Sequence, residues 1–322
     1  MSRPYEFYDL LQDYAADPSL VDEVVIGLVW TYCSADGALG LAMSPGVGRR
    51  TLAFSGTLRG QSIAHLARWV REFEPFQATV GMAAVNAGIN RHGAARPGML
   101  LPAPCTGGGH NNLAVFEHFL PQIRGKRVVV IGRYPGLEHF VERHQLDVQV
   151  LERQVTEGDL PDSACEYLLP EAEWVFLTAS SIPNKTFPRL ADLSRNAVTV
   201  LMGPTTPWLP ELYHFGIDYL AGVEIDDAEQ LRRTVAEGGG VRLFDGAVRF
   251  RVAPLTREAT EDWAKDYIAR TVSQKDALTR DMDDWYRAGN HRRFPGYDRL
   301  DSVNARLSRL DTCFKALRDA AQ

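Results

Sequence analysis

Hydroxyl and amide side chains gather in short stretches that each follow an apolar run. "LTASSIPNKT" carries Thr178, Ser180, Ser181, Asn184 and Thr186, and "LMGPTTPW" carries Gly203, Thr205 and Thr206. "VIGRYPG" carries Gly132, Tyr134 and Pro135. Such groups donate and accept hydrogen bonds without net charge. The prolines among them (Pro135, Pro183, Pro204 and Pro207) fix φ, so little freedom is lost on binding. Gly132 and Gly203 allow a ligand close to the backbone. Each loop alone reads first as helix capping and strand termination; three on one sheet edge shift the reading toward a site. Glu152, ending "DVQVLE", is the candidate general base of an alternative, enzymatic reading. Cys105 and His110, in "CTGGGH", are candidate ligands for a soft or borderline metal ion, against a reading of that stretch as a glycine-rich hinge. His214, between Tyr213 and Phe215, is expected to pack.

Three elements of pattern position these residues. Residues 1–90 read as a small α+β domain. A helix spans about residues 5 to 16, then comes a three-strand antiparallel meander over 23–55 built from "EVVIGLVWTYCSA", "GALGLAMS" and "RRTLAFSG". Two helices follow, "SIAHLARWVREF" and the almost wholly apolar "ATVGMAAVNAGIN". Residues 91–112 are glycine- and proline-rich without periodicity, a linker or functional loop. Over 113–253, continuous apolar strands alternate with helices, which predicts a doubly wound, Rossmann-like parallel sheet. "VRLFDGAVRFRVAP" is expected to close it with a hairpin at Asp245-Gly246. Residues 254–322 read as a charged helical hairpin, its second helix striped by Leu300, Val303, Leu307, Leu310, Phe314 and Leu317, docked on the body or on another subunit. In a doubly wound sheet, ligands bind outside the carboxyl ends of the strands, where the hydroxyl-bearing loops fall.

Composition narrows the function. The chain has 322 residues, 45% hydrophobic and 24% charged, as in ordinary globular proteins. Its net charge of −6 offers no basic footprint for nucleic acid. It holds no apolar run long enough to span a membrane and no signal-peptide pattern at its start. Four scattered cysteines without a CxxC point to a reducing, cytoplasmic setting. NAD is not expected: "GRYPG" has bulk where the second and third glycines of the dinucleotide fingerprint belong. No nucleophile elbow or Walker loop occurs.

Together "VGMAAVNAGIN", "RVVVIGRYPGLEHF", "LLPEAEWVFLTASSIPNKT", "VTVLMGPTTPWLPELYHFGIDYLAG" and "VAEGGG" resemble the putative heavy-metal-chelation family of bacterial and archaeal proteins. The resemblance spans roughly residues 20 to 250. It implies an α/β architecture in which an enolase N-terminal-like domain joins a Rossmann-like domain, with a pocket between them for a metal ion or metal chelate. Carried over by motif, Asn86 falls in the family's Ala-Ala-x-Asn-Ala stretch; Thr178, Asn184 and Thr186 fall in its threonine–asparagine loop; Gly203, Pro204, Thr205 and Pro207 fall in its Gly-Pro-Ser/Thr-x-Pro loop. Ala179 and Pro183 depart from the family pattern. Asn86 reads equally as a buried amide that satisfies nearby backbone. The expected function is binding or processing of a small polar ligand in an interdomain cleft.

Overall fold

A computed structural model describes residues 4–93, 96–102, 111–156 and 158–319. Helix α1 (Pro4–Ala15) is followed by strands β1 (Glu23–Ile26), β2 (Trp30–Ala35) and β3 (Ala38–Met43), an antiparallel sheet in that order. "EVVIGLVWTYCSA" is thus two strands. The Gly27 N–H donates to the Trp30 carbonyl at 2.9 Å and turns the chain between them. "RRTLAFSG" forms no strand, contrary to expectation. Arg49, Arg50 and Thr51 are exposed, and the Phe54 ring finds its partner in Trp69, 5.0 Å away, instead of across a ladder. Helix α2 (Ile63–Ala67) starts at Ser62, whose hydroxyl accepts the His65 N–H, and α3 (Pro75–His92) starts at Glu74, whose carboxylate accepts the Gln77 N–H.

The larger domain contains β4 (Met99–Leu100), α4 (Ala114–Ile123), β5 (Arg127–Ile131), α5 (Leu137–His144), β6 (Asp147–Glu152), β7 (Leu160–Pro161) and α6 (Cys165–Leu168). It continues through β8 (Trp174–Thr178), α7 (Phe187–Leu193), β9 (Val198–Met202), β10 (Tyr219–Ile225), α8 (Ala228–Ala236) and β11 (Val248–Pro254). Among the described residues its sheet runs β4-β11-β10-β9-β8-β5-β6-β7. From β10 to β7 every pair is parallel; β11 is antiparallel to both β10 and β4. β11 therefore pairs with β10 and not through a hairpin at Asp245-Gly246. The preceding residues Leu243 and Phe244 turn into the core instead. Helices α9 (Arg257–Arg287) and α10 (Tyr297–Asp319) form the C-terminal hairpin.

Alternation along the strands splits the sheet between two cores. Val129, Val175, Leu177 and Leu201 join α1, α3 and the hairpin, whereas Val128, Val130, Phe176 and Val200 join α4 and the β2–β3 residues Tyr32, Leu39 and Leu41. Both cores contain first-domain side chains, so the two domains share their hydrophobic stabilisation. The order β6-β5-β8 makes the gap between β5 and β8 the topological switch point of the sheet.

Helix α3 lies unusually close to its sheet because Gly40 faces it: a Cβ there would sit 2.1 Å from the Ala87 nitrogen and 2.2 Å from the Ala83 oxygen. Backbone on both sides cannot give way. Gly40→Ala is therefore expected to cost about 3 kcal/mol or more, at the upper end of overpacking. Urea denaturation checks this, and an unchanged midpoint would refute the close approach.

Candidate functional site

The register of the parallel strands brings three loop starts side by side. Ile131 pairs with Leu177 and Thr178 with Met202, so Gly132 and Thr178 stand side by side at the carboxyl edge of β5 and β8, and Gly203 follows one residue beyond that level on β9. Gly132 and Gly203 have φ of 97° and 109°, the left-handed side that side chains avoid. A Cβ on Gly132 would lie 3.1 Å from Thr178 Cγ2, while the space over Gly203 is open. The Thr178 and Ser180 hydroxyls are 3.0 Å apart, and Ser181 Oγ donates to the Thr178 carbonyl at 2.6 Å, which holds the turn. The edge thus offers a half-buried hydroxyl pair beside the half-buried Gly132, with Gly203 buried on the other side.

The other residues of these loops hold that edge in place. Glu152 accepts three backbone N–H groups: Arg133 at 3.0 Å on Oε2, and Arg153 at 2.7 Å and Gln154 at 3.3 Å on Oε1. It ties the loop after β6 to the loop after β5. The Tyr134 ring packs edge-on against Phe116 at 5.4 Å. Its hydroxyl is buried beside Thr178 without closing a good hydrogen bond, and burial pushes its pKa well up. The Pro135 carbonyl accepts from Asn112 Nδ2 at 2.8 Å. Asn184 is exposed, and Thr186 Oγ1 donates to the Ser181 carbonyl at 3.4 Å. Between them Lys185 takes a left-handed φ of 68°. Its ammonium donates to the Pro183 carbonyl and lies 5.3 Å from the centre of the Tyr8 ring; burial pulls its pKa down to about 8.

Asn86, Thr205 and Thr206 stand elsewhere, in the seam between the domains. Asn86 Nδ2 donates to the Leu41 carbonyl at 2.7 Å and to the Thr205 carbonyl at 3.0 Å. The Met43 N–H donates to Thr205 Oγ1 at 2.9 Å. Thr206 Oγ1 is buried and unpartnered at a void of about 10 Å³ lined by Asn86, Asn90, Arg96 and Trp208. That is room for one water. The seam is packed protein, with no room for a larger guest.

Two family models, DUF4213 over residues 8–89 and DUF364 over residues 114–254, match the chain, and both carry the description "Putative heavy-metal chelation". The chain belongs to this family. A crystal structure of a DUF364-family protein of unknown function from Desulfitobacterium hafniense DCB-2 superposes with a TM-score of 0.63 at 29% identity, covering 78% of this chain and 98% of that one. One from Pyrococcus horikoshii, at 22% identity and a TM-score of 0.62 over 76% and 99% of the two chains, shares the fold. An uncharacterised protein of Methanocaldococcus jannaschii is 30% identical over 128 residues, 38% of this chain and 49% of the relative, so the match spans about half of that protein. The family models cover α1 to α3 and α4 to β11, and neither reaches the C-terminal hairpin.

Within the family core, sequence reasoning missed a first-domain segment that touches two of the loops. Met43 is anchored to Thr205 after β9, and Gln154 Nε2, after β6, donates to the Gly46 carbonyl at 3.0 Å. Residues 43–46 therefore touch both the loop after β9 and the loop after β6. Alternation puts Met43 on the Leu39–Leu41 face, toward the larger domain, and its side chain is 40% exposed. No spacing in the sequence announces these contacts, since they join residues more than a hundred positions apart.

The fit to a metal ion can be tested on the donors present. Among the described residues no group of three or more His, Cys, Asp or Glu could hold one. The edge supplies hydroxyls, backbone and a carboxylate already engaged by three amides. Cys105 and His110 lie outside the described residues. The described residues do not fit a soft cation bound by the protein's own side chains.

Asn86→Ala would leave the Leu41 and Thr205 carbonyls without their buried donor. The expected loss is about 2–4 kcal/mol of stability, read by chemical denaturation; a change within error would mean that the seam does not depend on this amide.

Proposed function

We propose that this protein binds a small, oxygen-rich ligand, such as a preformed metal chelate, at the edge of β5, β8 and β9, beneath residues 43–46. The observation that carries the reading is Gly132 standing beside Thr178 at the ends of β5 and β8, with the Thr178–Ser180 hydroxyl pair next to it. Neutral hydroxyls can donate to carboxylate or hydroxamate oxygens and accept from their protons. A chelator brings its own metal ligands, so the protein need supply none. Met43 would add a thioether at the roof, a soft and polarisable surface. In this reading Glu152 is a positioning group: it fixes the backbone of the two loops that frame the edge.

Calorimetric titration separates the alternatives. Zinc or nickel alone, citrate alone and the preformed metal–citrate complex are titrated into the wild type and into a Thr178→Val/Ser180→Ala variant. The chelate is expected to bind more tightly than the free metal, and the variant to lose about 10- to 100-fold in affinity, as removal of hydrogen bonds to a charged ligand implies. Micromolar binding of free metal that is indifferent to the variant would overturn the reading.

A further inference from the structure

The C-terminal hairpin follows the family core, yet it is firmly seated. α10 packs along α1, and both hairpin helices touch the short 3-10 turn Pro210–Phe215. Val303, Leu310, Cys313 and Leu317 of α10 are buried there, as are Trp263, Ala264 and Tyr267 of α9. This seam is also where unsatisfied polar atoms collect. Tyr14 Oη, Glu211 Oε2, Thr260 Oγ1, Trp263 Nε1, Tyr267 Oη and Arg306 Nε are all buried with no hydrogen-bond partner. Native interiors leave few such atoms, because each costs free energy.

Glu211 sits at the centre of this seam and is 8% exposed. The cation facing it is Arg309 of α10, whose Nη1 is 4.0 Å away and which also pairs with Asp13 of α1 at 3.0 Å. Tyr14 of α1 lies beside the carboxyl without closing a good hydrogen bond. Cys313 of α10 has its thiol pushed up by burial and by this carboxyl. His214, on the same turn, is 3.3 Å from the Cys313 carbonyl, and burial pushes its pKa down. Arg306 of α10 and Tyr267 of α9 interact with each other and with Tyr14. On α7, Arg189 pairs with Glu166, and Asp192 with Arg195, at the surface. Among the described residues, an ionised Glu211 therefore has one distant cation, already shared.

We propose that the hairpin is a proton-operated latch: it seats with Glu211 neutral and loosens when Glu211 ionises. Burial moves this carboxyl from its ordinary 4.5 up to about 7. The seated form holds a proton that the loosened form releases. The contribution of Glu211 to seating is therefore fully present below pH 4.5, weakens as the pH rises from there to about 7, and is level above. His214 acts in the opposite sense, since charging it opposes seating as the pH falls. The turn that carries Glu211 continues directly from residues 203–209, so the latch reaches both Gly203 at the strand edge and Thr205 in the seam.

Hydrogen exchange on the full chain, corrected for intrinsic rates, tests this at about pH 5 and about pH 8. Protection of α10 is expected to fall about a hundredfold relative to β8 and β9, and Glu211→Gln to remove that difference. Arg309→Gln takes away the group that favours the ionised carboxylate, so it should move the opening to higher pH. Equal protection of wild-type α10 at both pH values, a fall shared by the sheet, or the same fall in Glu211→Gln would overturn the latch. If Glu211→Gln does not fold, the Arg309→Gln midpoint decides, and an unchanged or lowered midpoint counts against it.

Discussion

The hydrogen bonds made by Thr205 are the constraint on which the rest of the arrangement depends. Its hydroxyl accepts the Met43 N–H and its carbonyl accepts from Asn86, so one residue fastens the end of β3 and the middle of α3 to the loop after β9. These groups are buried, and a buried polar group without its partner is expensive. The seam is therefore closed in one geometry or not closed at all. That geometry fixes where residues 43–46 run, and so whether anything covers the strand edge. Gly40 is part of the same constraint: only without a Cβ can α3 come near enough to β3 for Asn86 to reach both carbonyls.

The connection from β9 to β10 serves three neighbours in succession, which explains its stiffness. Gly203 follows directly on β9, Thr205 and Thr206 face the first domain, and Trp208 packs on β10, where a Cβ on Gly222 would come within 2.8 Å of its indole nitrogen. The Arg96 guanidinium lies 5.4 Å from the centre of the same ring. Glu211 then enters the hairpin seam. A flexible segment would lose a large conformational entropy in meeting all these partners at once. Pro204, Pro207 and Pro210 remove part of that freedom before folding begins.

Much of this was readable from pattern. "RVVVI", "WVFLT" and "VTVLM" are continuous apolar runs because both faces of the parallel sheet are covered, and their in-register ends place Gly132 beside Thr178, with Gly203 one residue beyond. The hairpin stripe was partly legible too: Val303, Leu310 and Leu317 are buried, whereas Leu300, Leu307 and Phe314 are only partly covered. What pattern could not give was the direction each hydroxyl faces. Thr178 and Thr205 look alike in sequence, yet one meets the mouth and the other a backbone amide of another domain. Gly27 breaks a strand that hydropathy reads as continuous, and Arg306, which reads as surface charge, is fully buried. Each of these depends on contacts between residues remote in the chain, to which local periodicity is blind.

The charge balance at the edge bears on the proposed ligand. A bare divalent ion gives up a strongly held hydration shell, and thiolates, imidazoles or several carboxylates normally offset that loss. Here the nearby carboxylate, Glu152, already accepts three backbone N–H groups, and freeing it would release the loops that make the edge. A chelate reaches the protein with its dehydration already compensated by its own donors. What it then needs is shape and a few hydrogen bonds to outward-facing oxygens, and uncharged hydroxyls provide these at low desolvation cost. A chelation family whose described residues lack a ligand cluster of their own is then no contradiction. The selectivity would lie in the organic shell around the metal, read by Thr178, Ser180 and exposed backbone, with the ion itself recognised only through the shape it imposes on that shell.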